Sequence, residues 1–184
     1  VEYTSGVTWP ASYTVDWDSA PQLEDVGQVV DGLWDVQAGK AVTVETGYDR
    51  LIALGDVTHS SYEVTVPITV HSIDAIGFPL PSAGPLVGLE LRWPGHSDAS
   101  LDPAFFGPGP DQPEWGFFPA GGLCWYHWTD PSDYSVGEFA VTRNWFAGSS
   151  SSSQSFVFGD EYMFKARITT LPDLRPRIEF KYWR

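Results

Sequence analysis

Hydrophobic and polar positions alternate along most of this chain. The clearest case is residues 61–70, SYEVTVPITV, where Tyr62, Val64, Val66, Ile68 and Val70 alternate with Glu63, Thr65, Pro67 and Thr69. A period of two predicts a strand with one buried face. Pro67 has no N–H to give to a ladder, which predicts an edge position or a bulge there. DGLWDV, KAVTVET and DRLIALG precede this strand, and GPLVGLELRW, GGLCWYHW, GEFAVTRNWF, EYMFKARITTL and RIEFKYW follow it. No stretch of twelve residues carries a helical period. The connections are turn-rich, among them GFPLPSAGP, PAFFGPGPDQPEWG and TDPSDYS, and the serine run 149–153 reads as a flexible hairpin loop. The pattern predicts an all-β chain: a two-sheet antiparallel β-sandwich forming one domain over residues 1–184.

Parity also sorts side chains within a strand. In EYMFKARITT, Phe164, Ala166 and Ile168 share one face, and Lys165, Arg167 and Thr169 share the other. The following LPDLRP turn and RIEFKYW complete a hairpin. The sequence stops directly after it, which suggests a piece of a longer, multidomain protein. In GGLCWYHWTD, residues 121–130, Cys124, Tyr126 and Trp128 fall on one face and Trp125 with His127 on the other. A small, lone cysteine suits burial, so the parity predicts Trp125 and His127 on the ligand side.

Composition sharpens this picture. Hydrophobic residues make up 42 % of the 184, charged residues 18 % and aromatic residues 15 %. That describes a folded chain with aromatic surface to spare for stacking flat ligands. The net charge of −14 opposes phosphate backbones and anionic lipid heads, so nucleic acid and membrane insertion are not expected. One cysteine excludes an internal disulfide and a cysteine-rich zinc site. No apolar run reaches the length of a membrane span.

The order DGLWDVQAGKAVTVET, YDRLIALGD, SYEVTVPITVHS, VGLELRWPGH, GLCWYHW and YMFKARITTLP…RIEFKYW resembles the concanavalin A-like lectin/glucanase superfamily, in particular its laminin-G-like jelly-roll branch. The resemblance covers roughly residues 30–184 and is one of strand pattern. It implies two curved antiparallel sheets, a carbohydrate-related role, often a structural calcium, and a secreted or cell-surface location. A retaining glucanase of that superfamily carries an E-x-D-x-x-E strand, which this sequence lacks. Asp16 with Asp18, and Glu24 with Asp25, have neither the spacing nor a partner glutamate.

Other catalytic motifs are also missing: there is no phosphate-binding glycine loop, H-E-x-x-H or C-x-x-C. GHSDA at 95–99 puts Ala99 where the serine-hydrolase elbow needs glycine, so Ser97 is not expected to be a nucleophile. The four histidines, 59, 71, 96 and 127, are scattered, which disfavours zinc. Calcium fits the acidic turns better, with Asp16, Asp18, Asp35 and Asp160 as candidate oxygen ligands. Residues 96–122 form a connection too long for a simple hairpin, with Phe105, Phe106, Trp115, Phe117 and Phe118 available to line a cleft.

If the apolar set of each strand faces the core, Glu63, His71, Glu90, Arg92, Trp125, His127, Lys165 and Arg167 are left facing outward, with Trp93 and Trp145 at strand ends. This set predicts a noncatalytic carbohydrate-binding module that recognises a polysaccharide or oligosaccharide on a concave sheet face. Trp125 and Trp145 would stack sugar rings, and Arg92, His127, Glu90, His71, Glu63, Lys165 and Arg167 would bond hydroxyls. Two alternatives stay open. One is a polysaccharide-degrading enzyme, a lyase rather than a hydrolase, with His71, His127 or Tyr126 as base. The other is a structural or adhesive module of an extracellular protein.

Overall fold

The computed structural model describes residues 12, 14–20, 22–45, 50–56, 58–73, 85–93, 122–129, 137–142 and 150–184. These residues are all-β with antiparallel pairing throughout, and their only helical element is a 3-10 turn at Leu23–Asp25. The chain groups into two compact units, Val1–Asp56 and Val57–Arg184.

The first unit holds two short ribbons. β1 (Gln28–Asp31) pairs with β4 (Leu51–Ala53), and β2 (Trp34–Gln37) pairs with β3 (Lys40–Thr43). The β2–β3 link is the two residues Ala38 and Gly39, at φ 48° and 70°. Two successive positive φ values match the right-handed twist of the strands, and glycine takes one of them without strain.

The second unit holds two larger sheets. One has the order β11–β10–β5, from β5 (Tyr62–Thr69), β10 (Glu161–Thr170) and β11 (Pro176–Trp183). The other has the order β6–β7–β8–β9, from β6 (Leu86–Leu91), β7 (Gly122–Trp128), β8 (Gly137–Thr142) and β9 (Ser150–Ser153). β5 lies at a sheet edge, which is where a strand containing Pro67 is tolerated. The serine run, expected as a loop, is instead the edge strand β9, with Ser150–Ser153 in register with Val141–Glu138 of β8. Ladder bonds run through the backbone, so a paired edge can override the weak strand preference of serine.

Both sheets feed one core. Leu91 and Cys124 of the four-stranded sheet pack with Ala166 and Ile168 of the three-stranded sheet. Tyr126, Trp128 and Phe139 pack with Phe156, Tyr162 and Phe164 in the same way. This is β-sandwich character, and burial of each large side chain contributes about 1.5–3 kcal/mol. Several rings meet edge-on, for example Tyr126 on Trp128 at 77° and Phe139 on Phe164 at 64°, and others stack, as Phe156 does on Tyr162 at 23°; both arrangements occur among packed aromatic pairs.

Hydroxyl groups tie the two sheets together. The Tyr126 hydroxyl donates to the Gln154 carbonyl at 2.9 Å and accepts from the Phe156 N–H at 3.2 Å. The Tyr162 hydroxyl accepts from the Val157 N–H at 3.0 Å. Both tyrosines thus fasten the segment that leaves β9 and enters β10.

Candidate functional site

The outward-facing residues divide between two surfaces. Glu63, Lys165 and Arg167 lie on the three-stranded sheet, whereas Glu90, Trp125 and His127 lie on the four-stranded sheet. The core separates these sets, so they do not form one cleft.

The three-stranded sheet presents an exposed ionic lattice. Its strand register sets Arg167 opposite Glu63 on one side and Glu179 on the other, and Lys165 opposite Thr65 and Lys181. Glu63 accepts from Lys165 Nζ at 2.6 Å, and from Arg167 Nη2 at 2.6 Å and Nε at 3.0 Å. Arg167 also approaches Glu179 at 4.0 Å, and Glu179 takes Arg177 Nη2 at 2.9 Å. The hydrogen bonds from Lys165 and then Arg167 hold the Glu63 carboxyl below its ordinary range. Glu63 in return raises the Arg167 guanidinium. At the exposure of these groups the pairs add little to stability. Their chemical consequence is a set of donors and acceptors fixed on a sheet and open to solvent.

His71 is exposed and lies beyond the end of β5. Eight residues separate it from Glu63, about 26 Å of extended chain, so the two do not share a subsite.

The outer side of the four-stranded sheet is buried around Trp125 and partly open at Glu90, His127 and Glu138. Trp125 is only 7 % exposed, and its buried neighbours include Leu123 and Ala140, with Leu86 against them. Trp125 was expected to face a ligand, and its parity is as expected, but its indole is enclosed rather than offered to solvent. Gly88 stands opposite it, where an added Cβ would come within 2.8 Å of the Trp125 Cα. The gap left by glycine lets the two backbones approach. His127 stacks on the Trp125 indole, with ring centres 5.2 Å apart and planes 16° apart. Burial lowers the His127 pKa, and Glu138, its cross-strand neighbour, partly offsets this. The imidazole is therefore neutral at neutral pH, and its Nε2 makes no hydrogen bond among the described residues. Glu90 is half-buried, opposite Leu123.

Arg92 has a structural task. At φ 56°, it ends β6 in a left-handed conformation. Its N–H donates to the Tyr62 hydroxyl at 2.7 Å, and its guanidinium donates to Thr170 Oγ1 at 2.6 Å and to the Ser60 carbonyl. Arg92 thereby clasps the end of one sheet to the end of the other, with its N–H and Nη2 engaged by the protein. Cys124 is fully buried, and desolvation pushes its thiol up to about 12, so it is no nucleophile.

Asp16, Asp35 and Asp160, among the candidate calcium ligands, each have partners within their own part of the chain. Asp16 accepts from the Asp18 N–H, Asp35 from the Val36 N–H and the Gln37 amide, and Asp160 pairs with Arg184. Among the described residues no group of three or more His, Cys, Asp or Glu is placed to hold a metal, and no helix is long and apolar enough to cross a membrane. Trp145, Ser97, His96 and the aromatic connection with Phe105, Phe106, Trp115, Phe117 and Phe118 lie outside the described residues.

Sequence reasoning passed over Glu179, Lys181 and Trp183 as site residues, although RIEFKYW was recognised as a strand. The available signal was the hairpin itself. A register centred on the LPDLRP turn puts Lys181 beside Lys165 and Trp183 beside Met163. Comparison with known proteins returned no matching family model, no matching curated protein and no matching solved structure.

Proposed function

We propose that this chain is a noncatalytic carbohydrate-binding module of jelly-roll, concanavalin A-like type, and that it takes its glycan on the exposed face of the three-stranded sheet. The observation that carries this reading is the lattice of Glu63, Lys165, Arg167 and Glu179, in which acceptors and donors alternate across three strands. A pyranose presents hydroxyls that both donate and accept, and charged partners make the stronger bonds to them. On this reading the module works outside the cell within a longer chain, and binding there needs no rearrangement of the core.

Affinity electrophoresis and calorimetry against a panel of polysaccharides test it. At least one glycan should slow migration and release heat, and Arg167→Ala should weaken that binding without lowering the unfolding midpoint. If no glycan does either, the reading fails.

One observation favours a polysaccharide lyase as the second reading. His127 is neutral, half-buried and beside Glu138, which is the protonation state a general base requires. Ultraviolet absorbance from unsaturated products on uronate polymers would support it, provided that His127→Ala abolishes the signal.

A further inference from the structure

We propose that the outer face of the β10–β11 hairpin is a subsite for an anionic polysaccharide, built from Lys165, Lys181 and Trp183. This rests on the glycan-binding reading above and names the class of glycan.

Charge is segregated along the chain. Residues 161–184 contain six of the ten Lys and Arg but only three of the 24 Asp and Glu. The remaining 160 residues carry four basic against 21 acidic side chains. A local basic surface on so acidic a chain is the feature that an anionic ligand would use.

Register then concentrates that charge. Lys165 and Lys181 are direct cross-strand partners on the same outward face. Like charges placed so destabilise a sheet. Glu63 answers Lys165 at 2.6 Å, but among the described residues Lys181 has no carboxylate partner. Its ammonium instead lies 5.2 Å from the centre of the Trp183 ring. A carboxylate or sulfate seated between the two ammoniums would relieve their repulsion.

The neighbouring row supplies the surface for a sugar ring. Trp183 is 38 % exposed and pairs across the strands with Met163, which in turn pairs with Pro67. An exposed indole on an apolar strip suits the C–H face of a pyranose. The anionic substituent of the same or the next sugar would then reach the lysines.

Glu63 determines what can compete. It stays ionised because Lys165 and Arg167 hold it so, and it already occupies one side of Lys165. A single carboxylate in solution competes poorly with it, whereas a polymer with an anion on each ring returns at high effective concentration. Duplex DNA carries one charge per about 1.7 Å and meets the acidic remainder of the chain. A glycan with one charge per ring is sparser and is repelled less.

The test is calorimetry on the full chain with a polyuronate, a sulfated galactan, a neutral glucan and duplex DNA, at low and raised salt. We expect at least one acidic glycan to bind more tightly than the glucan and to weaken as salt rises. Lys165→Gln combined with Lys181→Gln should weaken that binding about tenfold, and Trp183→Ala by a similar factor. Glu63→Gln should strengthen it, an opposite change that loss of folding cannot imitate. Equal binding of neutral and acidic glycans, or no change in the double variant, overturns the subsite and leaves the glycan-binding reading standing. Binding of no glycan at all removes both. Equally tight binding of DNA, or self-association that the double variant abolishes, overturns the proposal by assigning the face to another partner.

Discussion

β7 and β10 occupy comparable places, each paired on both sides within its sheet, and both read as good strands. β10 has one buried face: Tyr162, Phe164, Ala166 and Ile168 are at most 5 % exposed, and the intervening side chains reach solvent to varying degrees. β7 is buried on both faces, with only His127 partly open among its seven residues. Alternation therefore fixes which side chains share a face in each strand. It does not reveal whether the second face meets water. The difference lies in the outward residues themselves: Lys165 and Arg167 cannot be enclosed cheaply, whereas Leu123 and Trp125 can.

The sharpest way to break this comparison is to truncate one tryptophan from each face. Trp125→Ala should cost about 3–5 kcal/mol of stability, as for a large buried ring, whereas Trp183→Ala should stay within about 0.5 kcal/mol. Equal shifts in urea unfolding midpoints would contradict the assignment of an enclosed and an open face.

Tyr126→Phe comes next. It removes the acceptor for the Phe156 N–H and the donor to the Gln154 carbonyl, which should cost about 1–3 kcal/mol.

The Cys124 thiol gives β7 a signature in alkali. Its pKa is 9.0 in the unfolded chain and about 12 when folded, so the folded state holds its proton longer. Stability from this source is complete below pH 9.0, and it declines as pH rises from there towards about 12. The slope should approach about 1.4 kcal/mol per pH unit within that window. Cys124→Ala should flatten the slope in denaturant titrations, whereas substitutions on the outer face of β10 should leave it.

The smallest effect belongs to the hairpin that follows β10. Leu174 is 81 % exposed at φ 67°, a conformation that suits asparagine better than leucine. Leu174→Asn should raise stability by up to about 1 kcal/mol. A loss would show that the leucine side chain contributes more than its exposure suggests.

Much of the fold was legible because period two survives in β5, β10 and β11, where one face is polar. The strands of the first unit were found from short apolar runs such as LIAL, although the grouping into two units left no mark in composition. Ser150–Ser153 was missed because its pairing is a property of the backbone of β8 and not of its own side chains. For the candidate residues, what was legible was which of them share a face. Glu63, Lys165 and Arg167 were found by parity, which held once two strands were in register. The clasp made by Arg92 was not legible, because nothing local shows that its partners are Ser60, Tyr62 and Thr170, at the start of β5 and the end of β10. The burial of Trp125 was not legible for a different reason, since enclosure of a face is decided by what lies across it.

The tyrosine that fastens β9 to β10 also bears on the order of folding. Bringing Tyr126 to Gln154 closes a loop of 28 residues, at an entropic cost of about 3 kcal/mol. The two neutral hydrogen bonds of Tyr126 return about 2 kcal/mol together, so the hydroxyl cannot bring the two ends together by itself. The packing of Phe139, Phe156 and Phe164 must bring them close first, and the hydroxyl then locks a passage already made. Tyr126→Phe should accordingly speed unfolding and leave the refolding rate nearly unchanged, whereas Phe164→Leu should slow refolding.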